Sequence, residues 1–356
     1  MFDKDKPYNK LPFLPWNFDF DKKEILKLTI KASEEISKLN WLIHLIPNLD
    51  ILISPLLTKE SVESSAIENI NTTTLKVLQS QAVWKNKISW PEKEVLSYHN
   101  AILEWLRELN KYWGLWYNSF INIQKIVEPN KSGIRKIPWT IIADWFWNAI
   151  YTPPEWKENI DKLLQNLEKF MNDFDDDIDP LIKMSVLHYQ FESIHPFYDW
   201  NWRTWRILNI LYLILAKKLD FPILFLSEYI NKNKAKYYKL LNTTTKTWDY
   251  TDFIVYFLEA IIEQSKNTGK KILKIKDLMK KTEEKLEKIN SDYHKINLAL
   301  FTYPFLTIKK LEEKLGVTNR TILRYIEKLE KNNIVSTTKV WRNKLIFIPE
   351  FIELLS

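Results

Sequence analysis

The chain has no cysteine and only 4 glycines among its 356 residues. The first absence excludes disulfide and thiolate-metal scaffolds and fits a reducing compartment. The opening residues Met1-Phe2-Asp3-Lys4-Asp5-Lys6 have no apolar stretch of the kind a secretory signal needs. The longest apolar run, near Ile207–Ala216, is about half of a membrane span and is interrupted by Asn209. A cytoplasmic chain that does not engage a membrane is expected. Glycine is the odder shortage, because average usage near 7% predicts roughly 25 at this length. Tryptophan, normally rare, occurs 16 times, so the two counts look exchanged.

The length allows two or three domains with sizeable cores. The net charge of +7 is concentrated C-terminally, around Lys266–Lys288. A solvated Lys/Glu-rich helix is the commoner meaning of such a run, so it carries little weight for nucleic-acid binding.

The densest chemistry lies in Ser193–Asn209, S-I-H-P-F-Y-D-W-N-W-R-T-W-R-I-L-N. A histidine, a carboxylate, an amide and two arginines fall within twelve residues, ahead of an apolar helix-forming run. They can converge only if the chain turns tightly and then enters a helix. His195 suits a proton acceptor, Asp199 a ligand for a hard cation, and Arg203 and Arg206 clamps for phosphate oxygens. A helix whose first turn follows Asn201 would also aim unpaired N–H groups at a bound anion. Trp200, Trp202 and Trp205 conflict with this, because backbone that wraps phosphate favours glycine.

The stretch resembles the core motif of Fic domains, H-P-F-x-[D/E]-G-N-G-R-x-x-R. His195, Pro196, Phe197, Asp199, Asn201, Arg203 and Arg206 match position by position. Trp200 and Trp202 stand at the two defined glycines, and Trp205 at a frequent third. Tryptophan also occupies turn-like places at Trp139, Trp145, Trp147 and Trp156. One explanation is a gene from an organism that decodes UGA as glycine, with tryptophan written at those codons. The rival is a real, Trp-rich, degenerate member.

The resemblance implies a protein adenylyltransferase that moves AMP from ATP to a Ser, Thr or Tyr hydroxyl of a target protein. His195 would take the hydroxyl proton and Asp199 would hold Mg2+. Trp200, Asn201, Trp202, Arg203 and Arg206 would form the ATP and phosphate site. Ser64, Glu68 and Asn69 resemble the family's inhibitory motif [S/T]-x-x-x-E-[G/N], whose glutamate would reach Arg206 in place of the γ-phosphate. Ile137, Ile141 and Ile142 fall in a segment similar to the flap, a β-hairpin that aligns the target by main-chain pairing. A homodimer is a further implied partner, since inhibition in the family can depend on dimers. Removal of AMP and transfer from other donors are the alternatives within the same resemblance. A non-catalytic DNA-binding regulator is the alternative if the tryptophans are real.

Along the chain, residues 1–20 read as an extended lead-in and Lys22–Asn40 as an amphipathic helix ending at Trp41. Ile51–Leu57 reads as a short apolar piece before a separate helix from Lys59. Ser89–Leu109 and Phe120–Val127 are helical, with His99 as a packed histidine. Ile134–Pro154 is a hairpin broken around Asp144–Asn148. Glu158–Phe174 and Leu181–Glu192 are helices joined by a solvated acidic linker, Asp173–Asp179, with His188 a buried structural histidine. Ser265–Ser291 is a charged helix or linker. The order helix Ile308–Leu315, turn Gly316-Val317, helix Asn319–Lys331 capped by Thr318, and strands Ile334–Val340 and Lys344–Ile348 predicts a winged helix-turn-helix. Asn319, Arg320, Thr321 and Arg324 would face a major groove if it binds DNA; protein docking or dimerisation is the open alternative. The expected architecture is mainly α: an N-terminal helical region 1–110, a Fic-type helical core with a β-hairpin flap over 111–265, a charged linker 266–295, and a winged helix-turn-helix 296–356.

Overall fold

A computed structural model describes residues 2–67, 70–83, 90–138, 140–143, 149–289 and 292–355. The elements run α1 (Lys23–Ile43), α2 (Asp50–Ile67), α3 (Thr74–Val83), α4 (Trp90–Tyr112), α5 (Tyr117–Val127), β1 (Ile142–Ala143), β2 (Ala149–Tyr151), α6 (Lys157–Asn172), α7 (Pro180–Ile194) and α8 (Asn201–Leu215). They continue as α9 (Ser227–Lys232), α10 (Lys234–Thr247), α11 (Thr251–Glu287), α12 (Tyr293–Thr302), β3 (Leu306–Thr307), α13 (Ile308–Leu315), α14 (Asn319–Lys331), β4 (Ser336–Val340), β5 (Asn343–Phe347) and α15 (Pro349–Leu355). The fold is mainly helical, as expected, and no described helix is long and apolar enough to cross a membrane.

The chain divides into two compact units. One comprises residues 1–37 and 97–265, the other 38–96 and 266–356. In the first, α7 is buried on every face, flanked by α6 and α8, with α5 packed on α8. Its burial follows from its sequence, which alternates no polar face: Leu181, Met184, Leu187, Phe191 and Ile194 are all closed off. His188 is the buried structural histidine anticipated. Its Nε2 meets the Tyr237 hydroxyl at 2.8 Å and its Nδ1 meets Asn209 Nδ2 at 3.0 Å. Burial first, then the Arg206 charge, hold it well below the usual imidazole range, so it stays neutral. The lead-in packs as expected, with the Gln190 amide donating to the Pro12 carbonyl and Asn166 bonding both backbone groups of Leu14.

Several local expectations are corrected. The helix predicted to stop at Trp41 continues to Ile43. The apolar piece Ile51–Leu57 and the helix after Lys59 are one helix, α2; Pro55 near its start forfeits a single backbone bond. Ser265–Ser291 is no separate element, because α11 runs unbroken over 37 residues. The acidic turn Asp173–Asp179 is not simply solvated. Lys183, buried at 1% exposure, pairs with Asp176 and donates to the Asp173 carbonyl, and Asp179 caps α7 by accepting from Leu181 N. His99 is packed as expected, and burial lowers its pKa.

In the second unit, β3, β5 and β4 form an antiparallel sheet in that order, pairing Leu306 with Ile346 and Ser336 with Phe347. Thr307 caps α13 by accepting from Lys310 N, and Gly316 ends α13 in the left-handed region at φ 68°. Thr318 precedes α14 as expected, but its hydroxyl meets Thr321 Oγ1 at 3.2 Å and no backbone N–H. Helix α2 packs on α12 and α15, and α3 on β3 and β5.

Candidate functional site

The site begins where α7 ends. His195 closes that helix in the left-handed region, φ 47° and ψ 60°, with its N–H donating to the Phe191 carbonyl at 2.9 Å. Pro196 then prevents further helix, a common exit after such a cap. The loop Pro196–Trp200 is clasped by one side chain. Asn201 Nδ2 donates to the Phe197 carbonyl at 2.9 Å while Phe197 N donates to Asn201 Oδ1 at 2.8 Å. Helix α8 starts at Asn201, and its first i→i−4 bond runs from Thr204 N to the Trp200 carbonyl at 3.0 Å. The N–H groups before it have no intrahelical acceptor, as at any helix start, which suits an anion.

Five motif side chains are thus set on one turn and the first two turns of one helix. His195 is half-buried. Burial first, then the Arg135 charge, push its pKa down to about 3, so it is a neutral imidazole at physiological pH. Its Nδ1 is closed from solvent and has no hydrogen-bond partner among the described residues. Asp199 is exposed; its Oδ1 accepts from Trp200 N at 3.0 Å and its Oδ2 lies 3.4 Å from Lys131 Nζ. It could hold a hard cation together with ligand oxygens. No group of three or more His, Asp or Glu forms a protein-only metal cage among the described residues. Arg203 and Arg206 are buried on α8.

The three tryptophans of the motif lie at the N-cap and in the first turns of α8. Trp200 sits at the N-cap of α8 with φ 65° and ψ 22°, a conformation suited to glycine. Its indole lies 3.5 Å from the Arg203 guanidinium and donates from Nε1 to Glu128 Oε2 at 2.9 Å. Trp202 contacts the rings of Tyr237 and Tyr238. Trp205 is buried against Phe191, ring centroids 4.7 Å apart, and its indole N–H has no hydrogen-bond partner among the described residues.

Arg135, which the sequence marks only as part of the segment similar to the flap, holds a larger place in the structure. It is fully buried and donates from Nε to the His195 carbonyl at 2.7 Å, and from Nη2 to the Ile194 carbonyl at 3.2 Å and to the Pro154 carbonyl. One guanidinium therefore ties the end of α7 to the exit of the β1–β2 hairpin. Burial lowers its pKa to about 10, which leaves it charged. Its neighbours in sequence place it beside the flap but give no signal that it clasps the end of α7.

Of the hairpin predicted over Ile134–Pro154, the described residues pair only as β1 with β2, antiparallel through Ile142 and Tyr151, while Ile134 bridges Phe197. Ile137 and Ile141 are exposed and Ile142 is half-buried. The predicted turn Asp144–Asn148 lies outside the described residues. Ser64 is buried on α2, whereas Glu68 and Asn69 lie outside the described residues. Asn319, Arg320 and Arg324 are exposed on α14, the two arginines opposite buried Ile322, Ile326 and Leu329.

Comparisons with known proteins bear on the family and the fold. A model of the Fic/DOC family N-terminal region matches residues 26–104, and a Fic/DOC family model matches residues 90–213; together they span more than half of the chain. An HTH domain model matches residues 298–340. A Fic family protein from Desulfovibrio desulfuricans G20 superposes with a TM-score of 0.59 at 18% identity, covering 94% of this chain and 98% of that one. Fic-1 from C. elegans gives 0.50 at 19% identity, covering 71% of each chain. A Fic domain containing signaling protein from Bacteroides thetaiotaomicron VPI-5482 gives 0.51 at 14% identity, with 70% and 96% covered. At these identities the superpositions establish the fold alone.

Proposed function

The chain belongs to the Fic/DOC family, and from that premise we propose that it is a protein adenylyltransferase using ATP to modify a Ser, Thr or Tyr hydroxyl of a target protein. The observation that carries the reading is the turn from His195 to Asn201. It sets a neutral imidazole, an exposed carboxylate and a helix N-terminus beside two arginines of the same helix.

The acceptor hydroxyl oxygen would attack the α-phosphorus of ATP as His195 takes its proton. The new O–P bond forms while the bond to the bridging oxygen breaks, and pyrophosphate leaves. A base held near pKa 3 in a closed site is weak, but adjacent phosphate charge raises an imidazole pKa and brings it toward the working range. Asn201 shapes the loop, the first N–H groups of α8 and Arg203 bind phosphate oxygens, and Arg206 binds the terminal phosphate. A magnesium ion takes one or two carboxylates plus substrate phosphates, and exposed Asp199 fits that donor set; when bound, Mg2+ would offset phosphate charge. Ile137, Ile141 and Ile142 would align the target segment along the hairpin. Glu68 would inhibit by pairing with Arg206, since a carboxylate and a phosphate compete for the same guanidinium fork.

The test is auto-modification by α-labelled ATP, using protein isolated from its native host. Glu68→Gly raises incorporation and His195→Ala abolishes it; unchanged labelling in both variants defeats the scheme. Other donors and AMP removal use the same groups, and competition between labelled nucleotides ranks them.

A second reading has its own observation. The Trp200 indole lies over the Arg203 guanidinium, and we read this as filling the anion site of the chain as written. That chain would be a non-catalytic regulator binding DNA through Asn319, Arg320 and Arg324. Titration with ATP separates the two, because a filled site binds none.

A further inference from the structure

Of the 16 tryptophans, Trp84, Trp139, Trp145 and Trp147 fall outside the described residues; five of the remaining 12 have positive φ. They are Trp113 at 51°, Trp156 at 67°, Trp200 at 65°, Trp248 at 60° and Trp341 at 59°. Only a few per cent of non-glycine residues adopt this region, mostly Asn, Asp and His, and a bulky residue there is an outlier. The four other non-glycine cases are Asp177, His195, Lys217 and Asn333, of which three are the tolerant types.

Each of the five positions performs a task glycine performs. Trp113 and Trp248 follow helix ends and donate to Leu109 and Thr244 carbonyls at 3.0 and 2.8 Å. Gly316 does the same after α13, donating to Glu312 at 2.8 Å. Trp156 and Trp200 stand at the N-caps of α6 and α8. Trp341 is the first of the two residues joining β4 to β5, and a two-residue hairpin turn with positive φ at that place calls for glycine. Trp113, Trp156 and Trp341 are also exposed, which is unusual for so large an apolar ring. Trp105 is the contrast: it is helical, buried on the apolar face of α4, and behaves as a tryptophan should.

We infer that the native polypeptide carries glycine at positions 113, 156, 200, 248 and 341, the gene using a codon there that its host decodes as glycine, while position 105 is genuine tryptophan. Backbone conformation assigns these five; Trp202 and Trp205 have helical backbone, so their assignment rests on the motif alone. The consequence is largest at 200, where glycine removes the indole from Arg203 and opens the N-terminus of α8. The inference stands on composition and dihedral angles, independently of whether the chain transfers AMP.

Peptide masses from protein made in the native host decide it, together with the codons of the gene. Expected are glycine masses at all five positions and a tryptophan mass at 105, with UGA at the five and UGG at 105. Tryptophan masses at the five, or the same codon at 105 and at the five, would overturn it.

Discussion

Replacing Trp113 with glycine should stabilise the chain as written, although it deletes its largest kind of side chain. Trp113 sits at φ 51° beyond the end of α4 and is 77% exposed. A realistic denatured ensemble already covers roughly 10–40% of a side chain, so so little burial gives no advantage over the unfolded state. The backbone decides the sign. A side chain with a Cβ costs about 1–2 kcal/mol in the left-handed region. Glycine escapes that cost but loses about 0.5–1 kcal/mol more chain entropy on folding. The net expectation is a gain of about 0.5–1 kcal/mol for Trp113→Gly and close to none for Trp113→Ala, which keeps its Cβ. Trp41 is the control: it is 64% exposed but lies in α1 with helical backbone. Trp41→Gly should lose roughly 0.5–1 kcal/mol. Urea midpoints followed by far-UV ellipticity compare the three variants, since indole fluorescence changes with the substitution itself. A lower midpoint for Trp113→Gly, or an equal gain for Trp113→Ala, would refute the conformational argument.

Other perturbations test the site. Arg135→Leu strands buried carbonyls of Pro154, Ile194 and His195, which should cost about 1–3 kcal/mol for each left unsatisfied and lower auto-modification; Arg135→Lys, lacking the planar fork, should restore little of the melting temperature. Lys131→Ala removes the cation 3.4 Å from Asp199; stability should change by about 0–1 kcal/mol because both groups are exposed, while the Mg2+ concentration for half-maximal labelling falls. His195 has a folded pKa of about 3 against 6.5 in an unfolded chain, so below pH 6.5 the unfolded state takes up a proton that the folded state refuses. Stability should therefore fall as pH drops from 6.5 toward 3. His195→Asn should lose less over that window; His188 acts in the same direction and remains. Parallel midpoint-versus-pH curves for the two proteins would contradict the assigned shift.

Much of the candidate site was legible because its chemistry is contiguous. His195 through Arg206 span one helix end, one turn and two turns of the next helix, and proline, asparagine and an apolar run specify those locally. The winged helix was equally readable. Gly316 ends one helix, Ile322, Ile326 and Leu329 mark the buried face of the next, and the strand residues follow a short turn. Arg135 was not legible, because its partners lie 19 and about 60 residues away and are backbone carbonyls of unremarkable sequence. Lys183 reads as a surface residue on any helical wheel, and only the fold closes it over with the acidic turn as its counterion.

The amino-acid sequence by itself determined the motif, the helical class and the C-terminal module, since each depends on residue identity, periodicity and turn chemistry within short spans. It also carried the shortage of glycine beside the surplus of tryptophan. Tertiary structure decided what depends on distant segments meeting. It grouped residues 38–96 with 266–356, carried most of the expected linker Ser265–Ser291 into the long helix α11, and closed Arg135 over three carbonyls. It alone supplied the dihedral angles that distinguish Trp113, Trp156, Trp200, Trp248 and Trp341 from Trp105, because a composition counts side chains whereas the sign of φ is set where the chain must turn.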